Sequence, residues 1–250
     1  MAEGFASYPS LEGKTVFITG ATSGIGACMV EQFAAQGAKV AFVGLTQSAG
    51  DEIAARTGAW FRSVDVTDVP ALEAALADAA TELGPIGILV NNVANDTRHV
   101  AADTTIEQWR KGMAVNLDPA FVCARAVYPG MRALGGGSIV NVSSINALLG
   151  PEGMITYVAA KGAMNAMTKG LAREWGQDRI RVNTVSPGWI ITDRQLELWL
   201  TPEAEAEWMK LVALPDRIMP EEVARLVMFL AADDSRMITG QNFVIDGGRT

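Results

Sequence analysis

Short runs of apolar residues alternate along the chain with longer stretches whose apolar positions recur at helical spacing. The runs are TVFITG (15–20), KVAFVG (39–44), WFRSVDV (60–66), IGILVNN (86–92), GSIVNVSS (137–144), IRVNTVSP (180–187) and QNFVIDGG (241–248). Most are near-continuously apolar, the pattern of strands buried on both faces. The stretch IGACMVEQFAAQG (25–37) reads as a helix ending at Gly37. Strand–helix alternation implies right-handed crossovers and a parallel sheet covered by helices on both sides. The pattern predicts an α/β fold with about seven strands and at least six helices. It spans 1–250 as a single domain, with no linker, low-complexity segment or internal repeat.

One stretch breaks the alternation. Between Gly188 and Pro215, Trp189, Trp199 and Trp208 stand among acidic residues. It follows a strand end, where open α/β sheets build their ligand crevice. The expectation is a mostly helical lid over about 188–215. The alternative is a surface helix pair packed on the sheet or on a neighbouring subunit.

Composition narrows the function classes. With 250 residues, 49% of them hydrophobic, the chain can bury one substantial core. A net charge of −8 and a pI near 4.8 argue against nucleic acid or an anionic membrane as partner. Cys28 and Cys123, each in an apolar helical stretch, read as buried thiols rather than a disulfide framework. His99 is the only histidine, which disfavours zinc. The N-terminal stretch shows no basic region followed by an apolar run, and no stretch approaches membrane-spanning length. A cytoplasmic protein is expected.

TGATSGIG (19–26) follows the first strand and opens the first helix. Gly20 permits a tight turn, Gly24 lets the backbone approach a pyrophosphate, and Gly26 lets the helix sit against the strand. The helix start then offers free N–H groups and positive dipole to phosphates. Further on, Ser144 lies thirteen residues before Tyr157, and Tyr157 four before Lys161. A four-residue spacing puts phenol and ammonium on one helix face, one turn apart. A cation near a phenol favours its ionised form and makes it a usable base. A hydroxyl from the preceding strand end can stabilise charge on the same substrate oxygen.

The T-G-x-x-x-G-x-G spacing, Tyr-x-x-x-Lys, Asn91–Asn92, Asn116 in AVNL, Pro187–Gly188 and Asp246–Gly247–Gly248 occur in the order seen in the short-chain dehydrogenases/reductases. The chain resembles that family over nearly its whole length. The resemblance implies a Rossmann-like, doubly wound fold and a nicotinamide dinucleotide as cofactor. It implies Asn116, Ser144, Tyr157 and Lys161 as the catalytic set. Asn116 would hold a water linking Lys161 to solvent, and Lys161 would also bond the nicotinamide ribose. The dinucleotide would meet Gly20, Thr22, Ser23, Gly24, Ile25, Gly26, Val66, Asn92, Pro187, Gly188, Ile190 and Thr192, as well as Tyr157 and Lys161. Asp65 would bond the adenine amino group. A homotetramer or homodimer is also implied.

The end of the second strand usually selects the cofactor. Gly44 stands where the family's aspartate repels a 2′-phosphate, and Leu45 and Thr46 stand where a basic residue would hold one. Thr46 and Ser48 could donate instead. NADP is expected, with NAD tolerated.

The segments 8–14, 91–99, 187–195, 200–207 and 229–248 resemble the bacterial aldose 1-dehydrogenases of the D-xylose, D-galactose and L-arabinose type. These oxidise the anomeric carbon to a lactone, and Tyr157 would take the anomeric hydroxyl proton. Two positions depart from that pattern: Asn146 replaces a tryptophan, and Val93 replaces an alanine. Candidate sugar contacts are Asn95, Ser144, Asn146, Glu152, Tyr157, Trp189 and Gln195, with Arg98 and His99 next; for His99 a structural hydrogen bond is the better reading. A sugar acid, such as a 2-keto-3-deoxy acid oxidised at a secondary alcohol, would want an arginine, and Arg98 or Arg194 could serve. A 3-oxoacyl reductase would favour a basic patch that this acidic chain lacks. A non-catalytic nucleotide-binding protein should have lost part of the catalytic set, and none is lost.

Overall fold

Alternate side chains of the first strand feed two separate cores. The computed structural model describes residues 5–250; the first four residues of the stretch read above for a leader lie outside the described residues. The elements are β1 (Thr15–Thr19), α1 (Gly24–Ala35), β2 (Lys39–Gly44), α2 (Gln47–Thr57), β3 (Trp60–Ser63), α3 (Val69–Leu83) and β4 (Ile86–Asn91). Then come α4 (Ile106–Asn116), α5 (Asp118–Ala133), β5 (Gly137–Val142), α6 (Asn146–Leu149), α7 (Ile155–Trp175) and β6 (Ile180–Pro187). The chain closes with α8 (Asp193–Leu198), α9 (Pro202–Met209), α10 (Pro220–Ala231) and β7 (Asn242–Ile245). Val16 and Ile18 of β1 pack on one face with Met29, Phe33 and Val227, while Phe17 packs on the other with Leu72, Leu89 and Val127. Burying each such side chain contributes roughly 1.5–3 kcal/mol over leaving it in water. That two-sided burial is why the strands read as continuous apolar runs rather than alternating ones.

All seven strands are parallel, in the order β3-β2-β1-β4-β5-β6-β7. The order reverses between β1 and β4, so a crevice opens at the carboxyl ends of these strands. Five strands are shorter than the apolar runs, β1 and β4 by one residue each. β3 stops at Ser63, leaving Asp65 and Val66 in the following turn, β5 stops at Val142, and β7 spans Asn242–Ile245. The helical pattern over 107–133 divides at Leu117, where φ is −129° and ψ −53°. Pro119 has no amide N–H to bond back into α4 and sits in the first turn of α5, where no such bond is needed.

The stretch after β6 forms two short helices. Each opens on a threonine: the Thr192 hydroxyl accepts from the Gln195 amide at 3.4 Å, and that of Thr201 from Ala204 at 3.2 Å. A parallel bridge between Ile190 and Ile218 ties the two ends of the excursion together.

A polar seam crosses the core. Asn91 on β4 donates to Asn141 on β5 at 2.8 Å, Asn141 donates to Thr168 on α7 at 2.9 Å, and Thr184 on β6 donates to Thr168 at 2.8 Å. All four are buried. Cys123 is buried as expected, but Cys28 is only partly so, because it lies at the edge of the core between α1 and α10. Among the described residues, no helix is long and apolar enough to cross a membrane.

Candidate active site

A cavity of about 370 Å³ lies at the carboxyl ends of β4, β5 and β6. Ser144, Tyr157 and Lys161 meet on its wall. After β5 the chain stays paired to β6 through Ser143, whose amide reaches Val185 O at 2.7 Å, and Ile145, whose amide reaches Pro187 O at 3.0 Å. Ser144 stands between these two anchored residues. Its hydroxyl stands with the Tyr157 phenol on the cavity wall and accepts from the Asn146 amide at 3.1 Å. The Ser143 hydroxyl instead donates to Lys161 O at 3.1 Å, which leaves Ser144 as the serine facing the phenol. Tyr157 sits in the first turn of α7 and Lys161 one turn later.

Burial changes the electrostatics expected from the four-residue spacing. Lys161 is fully buried, and its Nζ donates to Val142 O at 2.7 Å. Nζ lies 5.8 Å from the centroid of the Tyr157 ring, over its face rather than at the oxygen. Desolvation lowers the ammonium to about 7. It raises the phenol to about 12, opposed by the Ser144 hydrogen bond and Arg98 and reinforced by Asp96. The expectation that Lys161 draws the phenol down is therefore corrected. Taking both groups out of water penalises charge on each.

The glycine loop fits a dinucleotide. Gly20 and Gly24 have φ of +66° and +55°, a region that favours glycine. A Cβ on Gly26 would come within 2.7 Å of Ala21 Cα and of Asn92 Nδ2, so helix and strand could not pack with a larger residue. A Cβ on Gly20 would sit 2.7 Å from Val93 Cγ2. No side chain caps α1, whose N-cap is Ser23, so its first amides are open to a phosphate. Asn92 braces this loop, donating to Thr19 O at 3.2 Å and Gly20 O at 2.9 Å. Ile25 lines the catalytic cavity, and the Thr192 methyl group is 3.2 Å from a Cβ built on Gly24. The loop and the segment after β6 thus face each other across one crevice, and Pro187, Gly188 and Ile190 also line the cavity.

Gly44 is the buried last residue of β2, and Leu45 beyond it is exposed. A Cβ at Gly44 would lie 2.6 Å from Thr22 Cγ2, so the loop threonine fills the space an aspartate would need. Thr46 and Ser48 are exposed, and neither hydroxyl has a partner among the described residues. Val64 donates to Gly44 O at 3.0 Å, which sets the turn bearing Asp65 and the buried Val66 beside this strand end. The Asp65 carboxyl accepts from the Thr67 amide and hydroxyl, which hold it below the usual carboxylate range.

Of the candidate sugar contacts, Asn146, Trp189 and Gln195 line the cavity with Ser144 and Tyr157. Trp189 Nε1 donates to Gln195 Oε1 at 2.6 Å, leaving the Gln195 amide N–H groups for a ligand. Arg98 also lines it; its guanidinium donates to Met154 Sδ at 3.1 Å and lies 5.1 Å from the Trp199 ring centroid. Asn95 and Glu152 do not line this cavity. Glu152 is exposed in the turn before α7. Asn95 lies in a neighbouring cavity because Asn116 grips its backbone, accepting from its amide at 2.7 Å and donating to its carbonyl at 3.1 Å. Asn116 itself is buried at the end of α4 and lines that second cavity. His99 accepts from the Thr156 amide at 3.4 Å and contacts Thr97 O at 3.0 Å, a structural role. Arg194 pairs with Asp96 at 3.1 Å.

The cavity residues that escaped the sequence reading as contacts include Asp96, Trp199 and Trp208. Asp96 gave a signal of its own, a carboxylate two residues before Arg98 in the loop after β4.

Residues 20–250 match a family model described as Enoyl-(Acyl carrier protein) reductase. The chain is 43% identical to a D-xylose 1-dehydrogenase of Caulobacter vibrioides, covering 97% of this chain and 98% of that one. It is 41% identical to the "Probable galactose dehydrogenase GalD" of Rhizobium meliloti, covering 97% of each. Among solved structures, one named as a short-chain alcohol dehydrogenase from Sinorhizobium meliloti superposes with a TM-score of 0.90 at 30% identity, over 97% of this chain and 98% of the other. A Serratia marcescens short-chain dehydrogenase/reductase variant gives 0.87 at 31% identity, over 96% and 99%.

Proposed function

Because the chain belongs to the short-chain dehydrogenase/reductase family, we propose that it oxidises an aldose at the anomeric carbon to the lactone, using a nicotinamide dinucleotide. The observation that carries this reading is one cavity in which the Ser144–Tyr157 pair faces the polar and indole groups of Asn146, Gln195 and Trp189. The similarity to enzymes named for xylose and galactose supports the substrate class.

The reaction needs a proton removed from the anomeric oxygen while the C1–H electron pair departs as hydride. The oxidised nicotinamide, when bound, supplies the hydride acceptor and a positive charge beside the phenol. Tyr157 Oη takes the proton, and the Ser144 hydroxyl stabilises charge on the same oxygen. Lys161, fixed to Val142 O, would hold the ribose. Asn116 fixes the loop after β4 through the Asn95 backbone. Gly20, Gly24 and the open amides of α1 receive the pyrophosphate. Residues 188–215 act as the lid. Gly44 presents no carboxylate to repel a 2′-phosphate, and Thr46 and Ser48 offer donors to it, so NADP is preferred and NAD tolerated.

Mixing the protein with NADP or NAD and a panel of aldoses, and following reduced-cofactor absorbance, tests the reading. Reduction with one or more neutral aldoses is expected, faster with NADP. No reduction with any aldose, together with turnover of a 2-keto-3-deoxy sugar acid, would replace it. Arg98 favours that second reading, since it lines the cavity with no carboxylate partner among the described residues.

A further inference from the structure

Three charged side chains line the catalytic cavity: Asp96 and Arg98 from the loop after β4, and Lys161 on α7. The lining from the ends of β5 and β6 is neutral. A carboxylate facing a buried phenol is a poor neighbour for a base, because it opposes the negative charge the phenol must take. Asp96 is partly buried, with 22% of its side chain exposed, so water screens it incompletely. Its position is fixed from behind, since Asn116 clamps the backbone of the preceding residue, Asn95, on both sides.

What offsets Asp96 comes from elsewhere in the chain. Arg194, 98 residues on, reaches Asp96 Oδ1 at 3.1 Å. It sits on α8, which also contributes Gln195 to the cavity, with Trp199 at its C-cap. Trp199 lies over the guanidinium of Arg98, so the loop and α8 meet at two points, one ionic and one cation–π. If α8 lifts, Asp96 loses its cation while Arg98 loses its aromatic cover.

Resting on the function proposed above, we propose that the Asp96–Arg194 ion pair couples the seating of α8 over the cavity to the readiness of Tyr157 to accept a proton. With the roof seated, Arg194 holds the Asp96 charge and the field at the phenol is set by Arg98 and the bound dinucleotide. With it raised, the Asp96 charge is opposed at the phenol by Arg98 without Arg194, and proton abstraction slows. Asp96 and Arg194 are positioning residues that act through Tyr157.

The phenol of Tyr157 can be titrated directly. The chain has three tyrosines, so ultraviolet difference titration with saturating NADP, using Tyr157→Phe as blank, isolates its ionisation. Arg194→Met is expected to raise that midpoint by about one pH unit, and Asp96→Asn to lower it by a similar amount. Arg194→Lys should restore the parent value, and Asp96→Asn/Arg194→Met should titrate no higher than Asp96→Asn alone. The acid limb of the pH–rate profile for the best aldose should move in the same directions. A parent-like midpoint in a folded Arg194→Met, or a double variant that keeps the upward shift, overturns the coupling. The titration needs no substrate, so a panel without an oxidised aldose would sink the proposed reaction and leave this result readable.

Discussion

Removing one oxygen atom from Tyr157 separates its chemistry from its packing. Tyr157→Phe keeps the ring over which Lys161 lies, so dinucleotide binding by fluorescence titration should stay near the parent value. Turnover should fall by about 10²- to 10⁴-fold, the usual worth of a positioned proton acceptor. A turnover loss of less than tenfold would move the base elsewhere. Gly44 offers a second residue-scale test. An aspartate there should favour NAD, but its Cβ would meet the Thr22 side chain. We therefore expect Gly44→Asp alone to lose stability, and Thr22→Ala/Gly44→Asp to recover it and shift the NAD:NADP ratio of kcat/KM toward NAD. A double variant with the parent ratio would show that this strand end does not select the cofactor.

Helix α2 shows packing prevailing over propensity. Gly50 sits inside it, where alanine would ordinarily gain about 0.5–1 kcal/mol. A Cβ there would fall within the Phe61 ring, which packs against Phe42 at 4.9 Å between centroids. Gly50→Ala should lower the melting temperature, with an overpacking cost of about 1–3 kcal/mol exceeding the gain. A rise in Tm would show that Phe61 moves aside freely. The elements themselves were largely legible: near-continuous apolar runs marked the seven strands, and the glycine spacing marked the turn into α1. The break at Leu117 was not read from the sequence, because apolar periodicity runs through it, although Pro119 stands just after it. The Asp96–Arg194 contact was not legible, because nothing local links side chains 98 residues apart. Nor could Tyr-x-x-x-Lys report that both side chains would be stripped of water; spacing gives direction along a helix, whereas desolvation depends on everything packed around it.

At the scale of the whole molecule, buried Lys161 makes stability depend on pH. Its ordinary value is 10.5 and its folded value about 7. Between these the unfolded chain binds a proton that the folded chain has released, so the lysine's contribution to stability rises with pH, by up to about 1.4 kcal/mol per pH unit. Urea unfolding at pH 7, 8 and 9 should show this slope, and Lys161→Met should flatten it. Parent and variant curves that stay parallel would mean the ammonium keeps its proton in the fold. The seam Asn91–Asn141–Thr168–Thr184 has a different consequence. It holds the helix bearing Tyr157 at one rotational setting against the sheet, and Asn91 Oδ1 has no partner among the described residues. Aliphatic replacements that fill the seam could remove that unmet polar group while releasing the helix from its setting. A laboratory selection for heat tolerance alone would therefore tend to enrich hardy but sluggish descendants of this protein, altered at positions remote from the reacting atoms.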